Sequence, residues 1–369
     1  MPKATETILE IDLNALDHNY QYLVSKLGPN TKVLSVVKAF GYGSDASIIA
    51  KELVTLGVDY FAVAYANEGV ALRKAEVKLP ILVLHPLPSS FEVIVEQCLE
   101  PSVYSRKMLS EFIDFAETHE LKEYPIHLKF NTGLNRLGFE ENDPSWIWEL
   151  LSKTTSVKVK SIFSHLAASE DLSEADFTKT QLKSFRNISL DLIQLLGYTP
   201  LLHASNTSGI INYPEAHLDM VRTGIGLYGF GNDPMETKQL RPVATLKTVI
   251  SQIHKIQPGE SVGYNRAYRA SGFEKTATLP IGHADGISRA FGNGKGWVTI
   301  KGEKAPIVGN VCMDMIMVDV SEIDCREGDE VIVFGENPSA EMLSSAINSI
   351  PYELLTAVSQ RIKRVRCRK

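Results

Sequence analysis

Between about residues 30 and 230, short apolar runs alternate with longer stretches in which apolar positions recur every three or four residues. The runs at 33–37, 60–64, 80–84, 100–104, 126–130, 160–164, 201–204 and 218–221 have the length and composition of buried strands. The stretches at 46–56, 67–75, 107–118 and 177–196 have helical spacing, and Gly57 and Gly197 stand where helix C-caps belong. Strands and helices alternating in this way predict an α/β fold, a (β/α)8 TIM-type barrel over residues 10–240. An open doubly wound sheet is the structural alternative; it is disfavoured because no G-x-G-x-x-G follows the first strand.

After residue 240 the texture changes. Strand-like runs at 244–250, 275–279, 297–300, 316–320 and 330–334 are separated by Pro-Gly, Gly-Asn-Gly and Glu-Gly-Asp turns. Helical spacing is confined mainly to 340–347 and 352–362. Residues 241–369, joined by 1–9, are therefore expected to form a mostly antiparallel β domain, with the boundary near Arg241-Pro242. The alternating basic and apolar residues at 361–366 predict a terminal strand with one charged face rather than a nucleic-acid arm.

A length of 369 residues accommodates two domains. The formal net charge of −6 gives no reason to expect nucleic acid as a partner. The four cysteines show neither a C-x-x-C pair nor zinc-ligand spacing, which argues for a reducing compartment and against a structural metal. The first twelve residues have no export-signal pattern, and no segment is long and apolar enough to span a membrane. A cytoplasmic enzyme is the expectation.

The candidate chemistry lies at the C-terminal strand ends, where barrels of this type place it. The first strand delivers Lys38, followed by a flexible turn carrying Tyr42. A lysine there must be paired, neutralised or covalently used, and its covalent use is a Schiff base to an aldehyde cofactor such as pyridoxal phosphate. The bland alternative is a lysine whose ammonium snorkels to water. Strand five carries Lys129 and leads to Arg136, strand six ends at Ser164-His165, and strand seven gives His203 and then Asn206-Thr207-Ser208-Gly209. Strand eight ends in Arg222, followed by Thr223-Gly224-Ile225-Gly226. Barrels often bind phosphate in the last two loops, so Asn206, Thr207, Gly224 and Ile225 are expected as donors, with the Tyr42 hydroxyl. Taken alone, Ser-Asn-Thr-Ser-Gly would mean only a helix N-cap. Arg222 is a guanidinium with donors only, so beside a cofactor ring nitrogen it leaves that nitrogen unprotonated. Such a site favours rapid proton exchange at Cα over chemistry that needs a long-lived carbanion. The alternative for Arg222 is a structural salt bridge.

These residues resemble alanine racemase, a fold-type III pyridoxal phosphate family. The likeness spans essentially the whole chain. It rests on Val36-Val37-Lys38-Ala39-Phe40-Gly41-Tyr42-Gly43, His127-Leu128-Lys129-Phe130-Asn131-Thr132-Gly133, Asn135-Arg136-Leu137-Gly138 and the segment Met220 to Gly229, together with Ser261-Val262-Gly263-Tyr264, Cys312-Met313-Asp314 and Pro351-Tyr352-Glu353. The resemblance implies a homodimer that interconverts L- and D-alanine, supplying D-alanine for peptidoglycan, with active sites shared between subunits. It implies that Lys38 holds the cofactor and serves as one base, and that Tyr264 of the partner subunit is the other. Racemisation needs bases on opposite faces of Cα. A tyrosine's ordinary pKa near 10 makes it a poor base unless a cation lowers it. By the same likeness Arg136 and Met313 bind the substrate carboxylate and His165 braces Arg222. Tyr42, Thr207, Gly224, Ile225 and Tyr352 hold the phosphate. In some members the lysine matching Lys129 is carbamylated. The chain departs from the common pattern at Phe40-Gly41, Asn131, Thr207 and His283, where asparagine with a small residue, aspartate, serine and tyrosine are usual. A racemase of broader range, for instance one acting on serine, is an alternative. A fold-type III decarboxylase would want an acidic partner for the ring nitrogen, and a non-catalytic cofactor-binding barrel has no need of Tyr264.

Overall fold

The computed structural model describes residues 4–369. They fall into two units, one of Asp17–Gly41 with Ala46–Arg241, the other of residues 4–16, Tyr42–Asp45 and Pro242–Lys369. Of the residues 1–9 expected in the second domain, 1–3 lie outside the described residues.

In chain order the strands begin with β1 (Ile8–Asp12), which belongs to the second unit. The barrel unit then contributes β2 (Lys32–Val36), β3 (Tyr60–Val63), β4 (Ile81–Val83), β5 (Glu100–Val103), β6 (Tyr124–Lys129), β7 (Val157–Phe163), β8 (Leu201–His203) and β9 (Met220–Thr223). β2 to β8 lie side by side in sequence order, all parallel, and β9 pairs with β2. The sheet closes on itself because Asp219 N–H donates to the Leu202 carbonyl and Arg222 N–H to that of Ser205, each at 3.1 Å. The result is an eight-stranded parallel barrel. Its outward strand residues, among them Ile126, Leu128 and Ile162, pack with Phe112, Phe185 and Leu192 of the surrounding helices. The alternate positions His127, Ser161, His203 and Arg222 are also buried. They give the barrel a polar interior where branched aliphatics are the rule.

Helix Arg106–Thr118 shows how local sequence sets the elements. Ser105 Oγ accepts the Met108 N–H as an N-cap, and Met108, Leu109, Phe112, Ile113 and Ala116 form its buried stripe. Helix Ala175–Leu196 stops at Gly197, which takes φ of 75°.

The eighth strand starts at Met220 rather than at 218, because Leu218 has φ of 53°, which no strand residue adopts. The strand runs on to Thr223, so Arg222 is its penultimate residue rather than its last. The turn after Lys38 is also not a flexible one. Ala39, Phe40, Gly41 and Tyr42 all take left-handed conformations, with φ between 50° and 64°. Such a run costs roughly 1–2 kcal/mol per non-glycine residue and persists only where the surroundings impose it.

The second unit adds β10 (Ala244–Val249), β11 (Gln252–Ile256), β12 (Ser261–Val262), β13 (Tyr268–Arg269), β14 (Glu274–Leu279), β15 (Trp297–Ile300), β16 (Glu303–Val308), β17 (Ile316–Asp319), β18 (Glu330–Phe334) and β19 (Lys363–Cys367). Nine strands form one sheet in the order β11-β14-β17-β16-β15-β18-β10-β1-β19, antiparallel except for β1 with β19. The basic tail is β19, and the helix expected over 352–362 ends at Ala357, since Val358 leaves helical geometry with ψ of 111°.

Candidate active site

Lys38 follows β2 at the C-terminal end of the barrel and is half-buried. Burial, and then the nearby Arg136, push its ammonium below the ordinary lysine range, while Glu68 works in the opposite direction. Glu68 also pins the left-handed turn. Its Oε1 accepts the Ala39 N–H at 2.6 Å, and its Oε2 accepts the Ala64 N–H at 2.7 Å. At Gly41 the turn leaves no room for a side chain, since a Cβ there would lie 2.8 Å from the Ala46 nitrogen.

Lys129 ends β6 with 8% of its surface exposed. Burial, reinforced by Arg136, Arg222 and Lys38, brings its amine down to about 8. Asn131 organises the loop that leads to Arg136, its Oδ1 accepting from the N–H groups of Gly133 (3.2 Å) and Asn135 (3.0 Å). His165 is held far below the usual imidazole range by burial and by Arg222, Arg136, Lys129 and Lys38. Four cations thus act on one volume, and among the described residues Glu68 is the one acidic side chain acting on Lys38, Lys129 or His165. Mutual repulsion on this scale is relieved by a bound anion. An anionic cofactor with a phosphate, and a substrate carboxylate, fit the donor set present.

Arg222 is anchored by neutral acceptors alone. Its Nη1 donates to His203 Nδ1 at 2.8 Å, and its Nη2 faces the carbonyls of Ser164 (2.8 Å) and Ala204 (2.9 Å) and His165 Nδ1 (3.0 Å). The guanidinium also lies over the Phe163 ring, 5.5 Å from its centroid. The salt-bridge alternative for Arg222 is not what the structure holds, as no carboxylate is among these partners.

The loops after β8 and β9 meet at Thr207, which is buried and whose Oγ1 accepts from the N–H groups of Gly224 and Gly226, each at 3.3 Å. Asn206 Oδ1 accepts from Gly209 N–H at 2.8 Å, which caps helix Thr207–Asn212. The side chain of Asn206 is therefore used for capping, as the bland reading of its motif holds. Ile225, buried, opens the turn that follows Gly224.

In the second unit, Tyr42 and Tyr352 form a tilted ring pair with centroids 5.9 Å apart. Burial and the neighbouring Tyr352 push the Tyr42 phenol above the ordinary tyrosine range. Tyr264 and Met313 are 74% and 60% exposed and line one cavity of about 590 Å3 with Gly263, Cys312, Asp314 and Met317. The Met313 loop is fixed by Ala284 N–H, which donates to its carbonyl at 2.9 Å. Arg361 clamps that loop to the next, bonding Asp285 and Asp314 at 2.7 Å each. His283 lines a separate cavity of about 390 Å3 with Arg289 and Glu353.

Sequence reasoning missed Glu68 and gave His203 no partner. Glu68 looks like an ordinary first-turn acid of helix Ala66–Lys74, and only the fold shows which N–H groups it meets.

Known proteins match on both sides of the unit boundary. The family described as "Alanine racemase, N-terminal domain" matches residues 11–232, and "Alanine racemase, C-terminal domain" matches 243–366. The alanine racemase of Halothermothrix orenii is 36% identical over 366 residues, covering 97% of this chain and 96% of the relative. The solved alanine racemase of Clostridium difficile 630 superposes with a TM-score of 0.93 at 34% identity, over 100% of this chain and 97% of that one. An alanine racemase structure from Bartonella henselae, described as having covalently bound pyridoxal phosphate, gives a TM-score of 0.89 at 30% identity over 99% and 100%. With both domains matched and the polar barrel mouth in place, the chain belongs to the alanine racemase family, whose cofactor is pyridoxal phosphate.

Proposed function

We propose that Lys38 and Tyr264 are the two bases with which this chain interconverts L- and D-alanine. The observation that carries this is the setting of Lys38: a strand-end amine pushed below its ordinary range among cations that call for an anionic cofactor. When bound, pyridoxal phosphate withdraws electrons from the substrate Cα and makes its proton acidic. Lys38 is also the residue that holds the cofactor. One base takes the proton from one face and the other returns a proton to the opposite face, so inversion requires both. Asn206, Thr207, Gly224 and Ile225 of the barrel unit are the phosphate donors, Asn206 acting through the cap it supplies to the Gly209 N–H of the helix that Thr207 opens, and Tyr42 and Tyr352 are assigned to the phosphate by the family resemblance. Arg136 and the Met313 backbone receive the substrate carboxylate. Arg222 would offer only donors to a cofactor ring nitrogen placed beside it, and so would leave that nitrogen unprotonated. His165 braces Arg222.

Tyr264 and Met313 are supplied by the partner subunit of a homodimer; their exposure on the second unit supports this reading. The protein then works in the cytoplasm, and D-alanine serves peptidoglycan. The test is incubation of the cofactor-loaded protein with L-alanine in D2O. Deuterated D-alanine is the expected product. Tyr264→Phe is expected to keep the cofactor yet slow inversion by roughly a hundredfold or more, the scale of a lost general base. Normal inversion by that variant would remove Tyr264 from the pair, and a panel of other amino acids tests the broader-range alternative.

A further inference from the structure

A single line of hydrogen bonds crosses the barrel interior from Arg222 to Glu100. Arg222 Nη1 meets His203 Nδ1 at 2.8 Å, and His203 Nε2 meets Ser161 Oγ at 2.9 Å. Ser161 Oγ meets His127 Nδ1 at 2.6 Å, and His127 Nε2 meets Glu100 Oε2 at 2.7 Å. The five residues come from five consecutive strands, β9, β8, β7, β6 and β5. The two imidazoles and Ser161 are fully buried, and the Glu100 side chain is 13% exposed.

The two ends dictate the direction of every bond. A guanidinium only donates, so His203 Nδ1 must be an acceptor and its hydrogen must sit on Nε2. That N–H donates to Ser161 Oγ, whose own hydrogen goes to His127 Nδ1. His127 therefore carries its hydrogen on Nε2 and donates to Glu100, a carboxylate that only accepts. No second neutral arrangement satisfies all four links. A proton added to His203 would set an N–H against the Arg222 N–H. One added to His127 would make Ser161 accept from both sides and leave its hydroxyl hydrogen without an acceptor. Burial and Arg222 hold His203 far below the ordinary imidazole range, in keeping with a neutral ring. Ring packing holds the planes: Phe163 stacks on His203 at 4.9 Å, and Tyr60 meets His127 edge-on at 6.3 Å.

We propose that Glu100 is a positioning residue for the reaction, acting through His127, Ser161 and His203 to fix the acceptor that orients Arg222. This rests on the reading that Arg222 faces the cofactor's ring nitrogen. If the line loses its accepting end, His127 is free to change tautomer, and the mismatch passes along to His203. Arg222 is then met by an N–H instead of a lone pair and turns from its place.

The first test needs no catalysis. Imidazole 15N chemical shifts of the histidine-labelled, cofactor-loaded protein should show both His127 and His203 neutral, with hydrogen on Nε2. Hydrogen on Nδ1 of His203 would overturn the proposal. The second test compares Glu100→Leu, which cannot accept, with Glu100→Gln, which can through its amide oxygen. Glu100→Leu should lower kcat about tenfold with little change in KM and shift the visible band of the bound cofactor, the scale of coupling within one hydrogen-bond network. Glu100→Gln should restore most of both. In a Ser161→Ala background, where the line is already cut, Glu100→Leu should add nothing further. An unchanged band and kcat in Glu100→Leu, or an equal effect with and without Ser161, would refute the relay. Should Glu100→Leu fail to fold, the 15N measurement on the unaltered protein and the kinetics of Ser161→Ala decide alone. Failure of the unaltered protein to invert alanine would instead sink the functional reading, leaving the tautomer result to judge the relay.

Discussion

Lys129 shows most directly what a crowded cationic site does to one residue. Its amine titrates near 8 because burial and three like charges disfavour its ammonium form. The sign of the consequence is fixed. Below that value the cluster has its full positive charge, and above it Lys129 is neutral and anions are held less tightly. Sulfate binding to the cofactor-free protein, followed by calorimetry, is therefore expected to weaken as pH rises through about 8. Lys129→Met should flatten that step, and a pH-independent affinity in the unaltered protein would show that Lys129 does not share the anion's volume. Lys38 and Arg222 could be singled out in the sequence because a charged residue closing an apolar run is conspicuous. Of the partners of Arg222, His165 is expected from the family resemblance, whereas His203 and the carbonyls of Ser164 and Ala204 could not be matched to it, since they come together only when the barrel closes.

At the scale of elements, the loop after β9 is built against Thr207. A Cβ on Gly226 would lie 2.6 Å from Thr207 Cγ2 and 3.2 Å from Leu23 Cδ1, so glycine is required there for space. Gly226→Ala should push Thr207 aside at a cost of about 1–3 kcal/mol and weaken cofactor retention, measured by dialysis. Adding Thr207→Ser removes the offending methyl while keeping the hydroxyl, so the double variant should recover most of the loss. No recovery would mean that the strain lies elsewhere in the loop.

Strands with long apolar runs were legible, and 297–300 and 330–334 coincide with β15 and β18. Those bounded by unusual backbone were not. Leu218 at φ of 53° delays β9, and the left-handed turn after Lys38 is made mostly of residues that seldom adopt it. Such turns are imposed by contacts distant in sequence, here Glu68 on the Ala39 N–H. The polar barrel interior was hidden for a related reason. Within β6, Ile126 and Leu128 advertise a strand, while His127 between them gives no sign that its partners are Ser161 and Glu100.

For the whole molecule, the strongest expectation concerns the sharing of sites between subunits. If Lys38 comes from one protomer and Tyr264 from the other, Lys38→Ala and Tyr264→Phe chains are each inactive as homodimers. A mixed dimer then holds one intact site and one doubly damaged site. Co-expression in equal amounts should recover about a quarter of the normal activity, from half the dimers each with half their sites. Recovery of nothing, with mixed dimers shown by mass spectrometry, would place both bases on the same chain.

The division of the chain also bears on how the protein can be recombined. The stretch Tyr42–Asp45 belongs to the second unit although the barrel sequence surrounds it on both sides. It is stitched there by Arg364, whose Nε and Nη2 both donate to the Gly43 carbonyl, and a Cβ on Gly43 would sit 2.1 Å from the Leu355 carbonyl oxygen. A chimera joined only at Arg241-Pro242 would bring foreign carbonyls and a foreign arginine to a native stitch. The exchangeable module of this family member is thus the C-terminal segment together with the N-terminal stretch that carries β1 and four residues borrowed from the loop that follows Lys38, and grafts that carry all three should fold where single-crossover grafts do not.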